Sequence, residues 1–414
     1  MIGREKMNDS DIVIVGAGLT GLRAALEVSR SGLSVLVVEG SDSVGGRMRT
    51  TNLDGLILDH GFQVLLTAYP ELATIPSIDN LNCGAFMSGA RVRIGSDWLY
   101  FTDPLRQPRE FLRSLKQPIA SLSDLIKFGL LSFQSPKGDV IASESPTSRE
   151  LDQLGFSARF RDGFVNPFLR GVLLDPSLST DSGLAKFYLR SFSRGLAALP
   201  ASGIQALPEL LANSLGRQHI MLNSRAINLR PRGVTLESGD EITARYIICA
   251  CDALAAAALG GPEQTTPHSS STTLYFSAEE APYREPMISL IGDASGPINN
   301  LAVLTNAQPS YATEGRALIS ATAIGSNTSV SEKDLLAATR RQFHQLFGAM
   351  SADWDFIKSF YVPNSVPARP RISDGWLNYE GIYYAGDYLS YGSQNGALKA
   401  GRLVGQEVCR SVLG

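Results

Sequence analysis

Residues 11–50 read DIVIVGAGLTGLRAALEVSRSGLSVLVVEGSDSVGGRMRT, and the order of apolar, glycine and acidic positions here decides what the rest of the chain is built around. The apolar run Ile12 to Val15 enters a turn that contains Gly16, Gly18 and Gly21. The turn opens a segment with apolar residues at Leu19, Leu22, Ala25 and Leu26, a helical spacing. Ser31 and Gly32 stop that helix, and a second β-branched run, Val35 to Val38, ends on Glu39.

Each residue type has a physical task. Gly16 permits the tight turn, and Gly18 lets backbone N–H groups approach a pyrophosphate at the positive end of the helix that Leu19 and Thr20 begin. Gly21 lets that helix pack closely on the sheet. Glu39, eighteen residues after Gly21 and followed by Gly40, can accept hydrogen bonds from both ribose hydroxyls. A lone Gly-x-Gly-x-x-Gly is an ordinary glycine turn in many proteins. With a strand before it, a helix after it and an acid at this distance, it reads as the dinucleotide-binding turn of a Rossmann-like half.

The whole chain bounds the answer. At 414 residues it exceeds the size at which single cores stop growing, so two domains are expected. Hydrophobic content of 44%, charge of 19% and 39 glycines describe a globular α/β protein. A net charge of −3 leaves no electrostatic footprint for nucleic acid. Cys83, Cys249, Cys251 and Cys409 form neither a Cys-x-x-Cys pair nor a metal spacing, which argues against a disulfide framework or metal site. MIGREKMNDS at the start has no apolar core for a signal peptide, and no run of eighteen uncharged apolar residues occurs, so the expected compartment is the cytoplasm.

A second glycine-rich segment follows Glu39. In GSDSVGGRMRT, Gly45 and Gly46 keep backbone close to a ligand and Arg47 supplies a cation for its diphosphate. Here the sequence resembles the flavin amine oxidase superfamily, in which a glutamate followed six residues later by Gly-Gly-Arg and then a threonine is a recurrent signature. That family includes amine oxidases, protoporphyrinogen oxidase and carotene desaturases. The resemblance implies FAD as cofactor.

Three further stretches resemble the same family. LILDHGFQ, Leu56 to Gln63, matches the segment whose Asp-x-Gly turn brings backbone past the flavin ring, which implies cofactor contacts for Gly61, Phe62 and Gln63. His60 lies inside it, as a candidate general base or as a turn histidine hydrogen-bonded to backbone. Pro200 to Leu211 and the alternating strands after it match the return to the cofactor domain, which implies that Ala226 contacts the adenosine through its backbone. The last stretch, GIYYAGDYLSYGSQNGALKAGRLVGQEV, matches the C-terminal flavin motif. There Asp387, after Gly386, can accept from a ribityl hydroxyl, and N–H groups at a helix beginning near Asn395, Gly396 and Ala397 can polarise the flavin's pyrimidine carbonyl.

The expected fold is therefore α/β, a discontinuous Rossmann-like FAD-binding domain over 8–78, 195–262 and 376–414. A substrate domain over 79–194 and 263–375 combines a mixed sheet with helices. Residues 79–194 read as mainly helical. Within them Trp98, Tyr100, Phe101 and Phe111 precede a helix with apolar Leu122, Leu125, Ile126, Leu130 and Phe133, interspersed with Arg106, Arg109, Arg113, Lys116 and Lys127. The stripe is no wider than a core face requires, which favours a helix packed on its own domain; a basic amphipathic helix of this kind can also lie on a membrane surface, and a peripheral contact through 98–133 is the alternative. Strands are expected at Thr273 to Phe276, Met287 to Ile291 and Leu318 to Thr322, and a helix after the approximate capping box of Ser331 and Asp334. Pro363, Pro367 and Pro370 mark the crossing back.

The family resemblance implies an FAD-dependent oxidoreductase that takes hydride onto flavin N5. The departures from it bear on the substrate. Amine oxidases of the family place an aromatic residue three before the C-terminal Gly-Ala, where this chain has Ser393, and their flavin-linked lysine has no counterpart between Gly296 and Ala312. Ala-Gly-Asp-Tyr at 385–388 is more similar to plant-type carotene desaturases. The expectation is an apolar or allylic small-molecule substrate, by desaturation, oxidation or redox-neutral isomerisation. An amine oxidase with an atypical cage and a non-catalytic flavin-binding interaction protein are the alternatives. No cysteine lies between Cys251 and Cys409, so non-covalent FAD is expected.

Overall fold

The computed structural model describes residues 10–104, 106–114, 118–133, 140–263, 267–292, 295–313, 315–368 and 372–414. Residues 8 and 9, Lys116 and Pro370, named above, lie outside them, as do the side chains of Arg113 and Phe133. The strand Ser10–Val15 pairs in parallel with Val35–Val38 on one side and with Glu241–Cys249 on the other. The short strand Ile220–Met221 extends the sheet beyond Val35–Val38. On the far side of Glu241–Cys249, its C-terminal end pairs in parallel with Ile382–Ala385, itself paired with Trp376–Tyr379. Its N-terminal end carries the antiparallel meander Gly233–Leu236 and Ala226–Arg230.

The near-continuous apolar runs of these parallel strands follow from burial on both faces. Ile12 and Ile14 enter one cluster with Leu22 and Leu26 of the helix Leu19–Arg30, while Val13 and Val15 enter a second with Val234, Ile242 and Ile247. The helix Gln394–Leu413 crosses Leu19–Arg30 at close range because its contact positions are glycine. A Cβ on Gly401 would lie 2.3 Å from Thr20 O, and one on Gly405 would lie 2.9 Å from Ala24 O. Thr20 Oγ1 also donates to Ala397 O at 3.0 Å, so the two ends of the chain are joined directly at the site.

A second, seven-stranded sheet runs in the order Asp355–Pro367, His268–Ala278, Ala317–Ile324, Ile298–Val303, Ile288–Ile291, Gly89–Ile94, Asp97–Thr102. All neighbours are antiparallel except Ile288–Ile291 with Gly89–Ile94. The hairpin Gly89–Ile94 and Asp97–Thr102 corrects the mainly helical expectation for 79–194. Its first strand alternates Ala90, Val92 and Ile94 with Arg91 and Arg93, Gly95 at φ +59° lies in the turn, and Trp98, Tyr100 and Phe101 sit on its second strand. The helix Glu332–Phe347 covers one face of this sheet. Its cap works through the Ser331 hydroxyl, which accepts from Asp334 N at 3.2 Å and donates to Asp334 Oδ2 at 2.7 Å.

The helix Leu122–Phe133 is apolar on two sides. Phe128 meets Phe101, Phe160 and Phe164, and Leu131 is buried. Leu122, Ile126 and Leu130, four residues apart, face outward and are 75%, 56% and 59% exposed. Among the described residues no helix is long and apolar enough to cross a membrane.

Candidate cofactor and substrate cleft

A cleft of about 930 Å³ lies between the two sheets, at the upper end of the ~300–1,000 Å³ typical of small-molecule sites. It collects segments from both ends of the chain. Gly16, Gly18, Leu19 and Thr20 line it with Glu39, Gly40, Gly45, Gly46 and Arg47. Gly61, Phe62 and Gln63 come from the next turn, Ala226 from the meander, and Gly386, Asp387 and Ala397 from the C-terminal stretch.

Three of the singled-out residues stand behind the wall rather than on it. A Cβ on Gly21 would come 1.9 Å from Gly16 O, so this glycine allows the helix to sit on the turn. Asn395 is buried, with Oδ1 accepting from Glu71 N at 3.0 Å and Nδ2 donating to Tyr391 OH at 2.7 Å. A Cβ on Gly396 would lie 2.2 Å from Tyr391 O.

The nucleotide end has the features a flavin dinucleotide requires. Gly18 is the N-cap of Leu19–Arg30 and offers no side-chain acceptor, so the first-turn N–H groups are uncapped by protein. A Cβ on Gly18 would meet no protein atom within 4 Å, which leaves open space beside those donors. Gly16, at φ +105°, turns the strand into the helix.

Glu39 is held at the strand end by its own loop. Oε2 accepts from Ala17 N at 2.7 Å, and Oε1 accepts from Ser41 N and Ser41 Oγ at 2.8 and 2.7 Å. These occupy three of the roughly four acceptor positions of a carboxylate. The Ser41 hydroxyl also has Ser43 O within 2.8 Å, so turning its one hydrogen there releases Oε1 for a ligand hydroxyl.

Arg47 Nη2 pairs with Asp387 Oδ1 at 2.5 Å and Nη1 donates to Ser365 O at 2.8 Å, tying the second glycine-rich turn to the C-terminal motif. The cation expected for a diphosphate is thus already matched by a carboxylate from the other end of the chain. At the start of Gln394–Leu413, Ser393 Oγ caps the helix by accepting from Gly396 N at 2.8 Å. Gln394 Oε1 is buried at the cleft and has no protein donor among the described residues. Uncapped helix donors, open space at Gly18, two anchoring carboxylates and an orphan acceptor together fit a flavin nucleotide. Of the cysteines, Cys251 lines the cleft and its thiol lies 3.5 Å from Val15 O, while Cys409 is buried elsewhere.

His60 lines the cleft, but its ring stacks on Phe360 at 4.2 Å and Nε2 shares a 2.8 Å hydrogen bond with Thr51 Oγ1. Burial, then the nearby charges of Arg49 and Lys358, lower its pKa and favour the neutral ring. Asp59, one residue earlier, is a buried seam between the layers. It accepts from Thr50 Oγ1 at 2.7 Å, Ile204 N at 2.8 Å and Tyr311 OH at 2.7 Å. Burial raises its pKa to about 6 against the pull of those three donors.

The other end of the cleft is walled by residues that no local motif marks. Phe168, Val172 and Phe192 come from the helical region, Ile288 and Leu290 from the second sheet, and Phe62, Val64 and Leu66 from the turn after His60. Tyr188 also lines it, its OH donating to Gly392 O at 2.7 Å. The Asp, Glu, Arg and His residues among the described lining, Glu39, Arg47, His60, Arg225, Asp252 and Asp387, come from the loops around the first sheet and the turn at His60. The aromatic residues Tyr384, Tyr388 and Tyr391 are core and do not line the cleft. Phe160, Phe164 and Phe168 sit at helical spacing in the sequence, a signal for a packed stripe but not for which end of it meets a ligand.

Comparison with known proteins agrees with this architecture. A family described as flavin containing amine oxidoreductase matches residues 19–409. Protoporphyrinogen oxidase 2 (chloroplastic/mitochondrial) of Arabidopsis thaliana is 27% identical over 266 residues, 54% of this chain and 51% of that protein. Putrescine oxidase of Kocuria rosea is 24% identical over 257 residues, 56% of this chain and 52% of that protein. The chain thus spans about half the length of these curated relatives. The solved structure of an oxidoreductase from Methanosarcina mazei has the same fold, with a TM-score of 0.75 at 16% identity over 96% of this chain and 99% of that one.

Proposed function

We propose, since this chain belongs to the flavin containing amine oxidoreductase family, that it is an FAD-dependent oxidoreductase acting on an uncharged, apolar or allylic small molecule. The observation that carries this reading is the lining of the inner cleft, where Phe62, Leu66, Phe168, Val172, Phe192 and Leu290 supply aromatic and aliphatic walls, while the Asp, Glu, Arg and His residues of the described lining come from the loops around the first sheet and the turn at His60. Burying a cationic amine or a carboxylate against such walls, without a counter-charge, costs far more than burying a neutral body. Ser393, where amine oxidases carry an aromatic residue, is engaged as a helix cap.

Bound flavin supplies a two-electron acceptor for hydride leaving a substrate C–H bond. The protein's own residues bind, orient and exclude water. The first-turn N–H groups after Gly18 would hold the pyrophosphate and Glu39 the ribose, and the Arg47–Asp387 pair fixes the second glycine-rich turn against the C-terminal motif. The aromatic walls keep solvent from the reacting carbon. His60 is held as a turn residue by Thr51 and Phe360 and is assigned no proton. Non-covalent FAD is part of the proposal, and the place of Cys251 beside the Gly16 turn supports it.

Anaerobic mixing of the purified yellow protein with neutral polyenes and allylic compounds, porphyrinogens and primary amines tests the reading. Bleaching of the oxidised flavin spectrum by a neutral compound is expected. Bleaching by amines alone would identify an amine oxidase, and no bleaching at all would leave a flavin-binding interaction protein. Release of FAD on denaturation distinguishes non-covalent from covalent attachment. The outward row of Leu122, Ile126 and Leu130, with Leu112 65% exposed on the preceding helix and Arg109 exposed, supports a peripheral lipid contact through this region. Co-sedimentation with anionic vesicles should fall when the three row residues become Gln; undiminished co-sedimentation would remove that contact.

A further inference from the structure

The second sheet presents different chemistry on its two faces. Leu274, Phe276, Leu301, Ile319 and Ala321 join the core that includes Leu335 and Phe343 of the covering helix. On the opposite face the register aligns a row across four strands. Thr273 stands beside Thr322, Thr322 beside Asn300, and Asn300 beside Leu290. Thr322, Asn300 and Leu290 line the cleft. A neutral polar strip therefore crosses the floor of a chamber whose other walls are aromatic and aliphatic.

The strip is held in place by bonds beneath and beside it. Thr273 Oγ1 accepts from Phe62 N at 3.0 Å and lies 3.5 Å from Thr322 Oγ1. Asn299 Nδ2 donates both to Pro167 O and to Asn300 Oδ1, each at 3.2 Å, which pins the Asn300 carboxamide by its oxygen. A Cβ on Gly171 would lie 2.8 Å from Asn299 Nδ2 and 3.4 Å from Asn300 Oδ1, so the facing helix Asn166–Leu173 passes close over both carboxamides. Asn300 is 6% exposed, and among the described residues no protein group accepts from its Nδ2. The Asn300 carboxamide lines the cleft, so a donor with no protein acceptor is directed at the space a ligand would occupy.

We infer that Asn300, with Thr322, is the specificity-determining pair of the chamber and receives a neutral oxygen, a carbonyl or hydroxyl, on an otherwise apolar substrate. This deepens the proposed function and rests on its neutral-substrate reading. A site built to donate to such an oxygen discriminates strongly against the analogue that lacks it, because an apolar ligand would cover the donor and leave it unpaired.

Titration of the oxidised, anaerobic holoenzyme with 4-phenylbutan-2-one and with butylbenzene, followed by the shift of the flavin absorption band, tests the pair on one carbon skeleton. The ketone is expected to bind at least tenfold more tightly. Asn300→Leu, close in size, should abolish that preference while leaving butylbenzene affinity within about twofold. Thr322→Val, which keeps the shape of the row, should reduce the preference severalfold and carries the test if Asn300→Leu fails to retain flavin. Equal affinity for both probes in the unaltered protein, or a preference that survives both substitutions, overturns the inference while leaving the neutral-substrate reading intact. Binding of 4-phenylbutan-2-amine with no response to either neutral probe overturns both.

Discussion

The two ends of the cleft are built on opposite principles. At the nucleotide end the backbone does the shaping: Gly16, Gly45 and Gly46 adopt φ of +105°, +122° and +59°, and Gly18 leaves space where a side chain would project. At the substrate end the side chains do it, and Phe62, Phe168, Phe192, Leu290 and Asn300 arrive from four separate parts of the chain. A backbone-shaped wall tolerates one residue type at each position and so leaves a short motif. A wall of side chains requires only volume and polarity, which many residues supply.

The contrast has its largest test in two glycines three positions apart. Gly21→Ala puts a Cβ 1.9 Å from Gly16 O and should cost roughly 3 kcal/mol or more through overpacking, seen as a fall in Tm and loss of flavin. Gly18→Ala meets no protein atom within 4 Å and should leave the Tm of the apoprotein unchanged while lowering FAD per chain. Full flavin content in Gly18→Ala would show that the open space there is not used by the ligand.

A smaller effect is expected at Asp59, where the layers meet. Its folded pKa of about 6 lies above the ordinary value of 3.8, so the folded state holds a proton that the unfolded chain has already lost between those values. The stabilising contribution of protonation is fully present below about pH 3.8 and is lost as pH rises through about 6. Lowering pH from 7.5 to 4.5 should therefore stabilise the wild type relative to Asp59→Asn by on the order of 2 kcal/mol. Paired thermal unfolding across this range measures it, and a constant difference between the two proteins would mean that the seam does not titrate. Smallest of the three, Ser393→Ala removes the cap of the C-terminal helix and should cost about 1 kcal/mol, read from unfolding of the holoenzyme. Flavin bleaching by a neutral substrate should persist, since the hydroxyl serves the helix.

Some positions were partly legible. Glu39, Arg47 and Asp387 stand out in the sequence as charged residues at the ends of strands or glycine turns, but their separate ligand roles did not reveal that Arg47 and Asp387 pair with each other. Gly21, Asn395 and Gly396 belong to recognisable motifs, yet they support the wall from behind because their contacts are with Gly16, Glu71 and Tyr391. The first strand of the hairpin at 89–102 shows period-two alternation, but its place beside Ile288–Ile291 depends on a pairing nearly two hundred residues away in sequence.

The sequence by itself determined the α/β class, the glycine turn between the first strand and helix, the second glycine-rich segment and the closing motif, because local backbone geometry restricts residue type at each of these places. Only the tertiary structure decided how the chain ends meet, through Gly401 and Gly405 against the first helix, and which side chains wall the inner cleft. The register that aligns Thr273, Thr322 and Asn300 across three strands was likewise invisible locally. The physical reason is common to all three: the face an element buries can be read from its own period, but what meets that face depends on pairing and packing between distant segments.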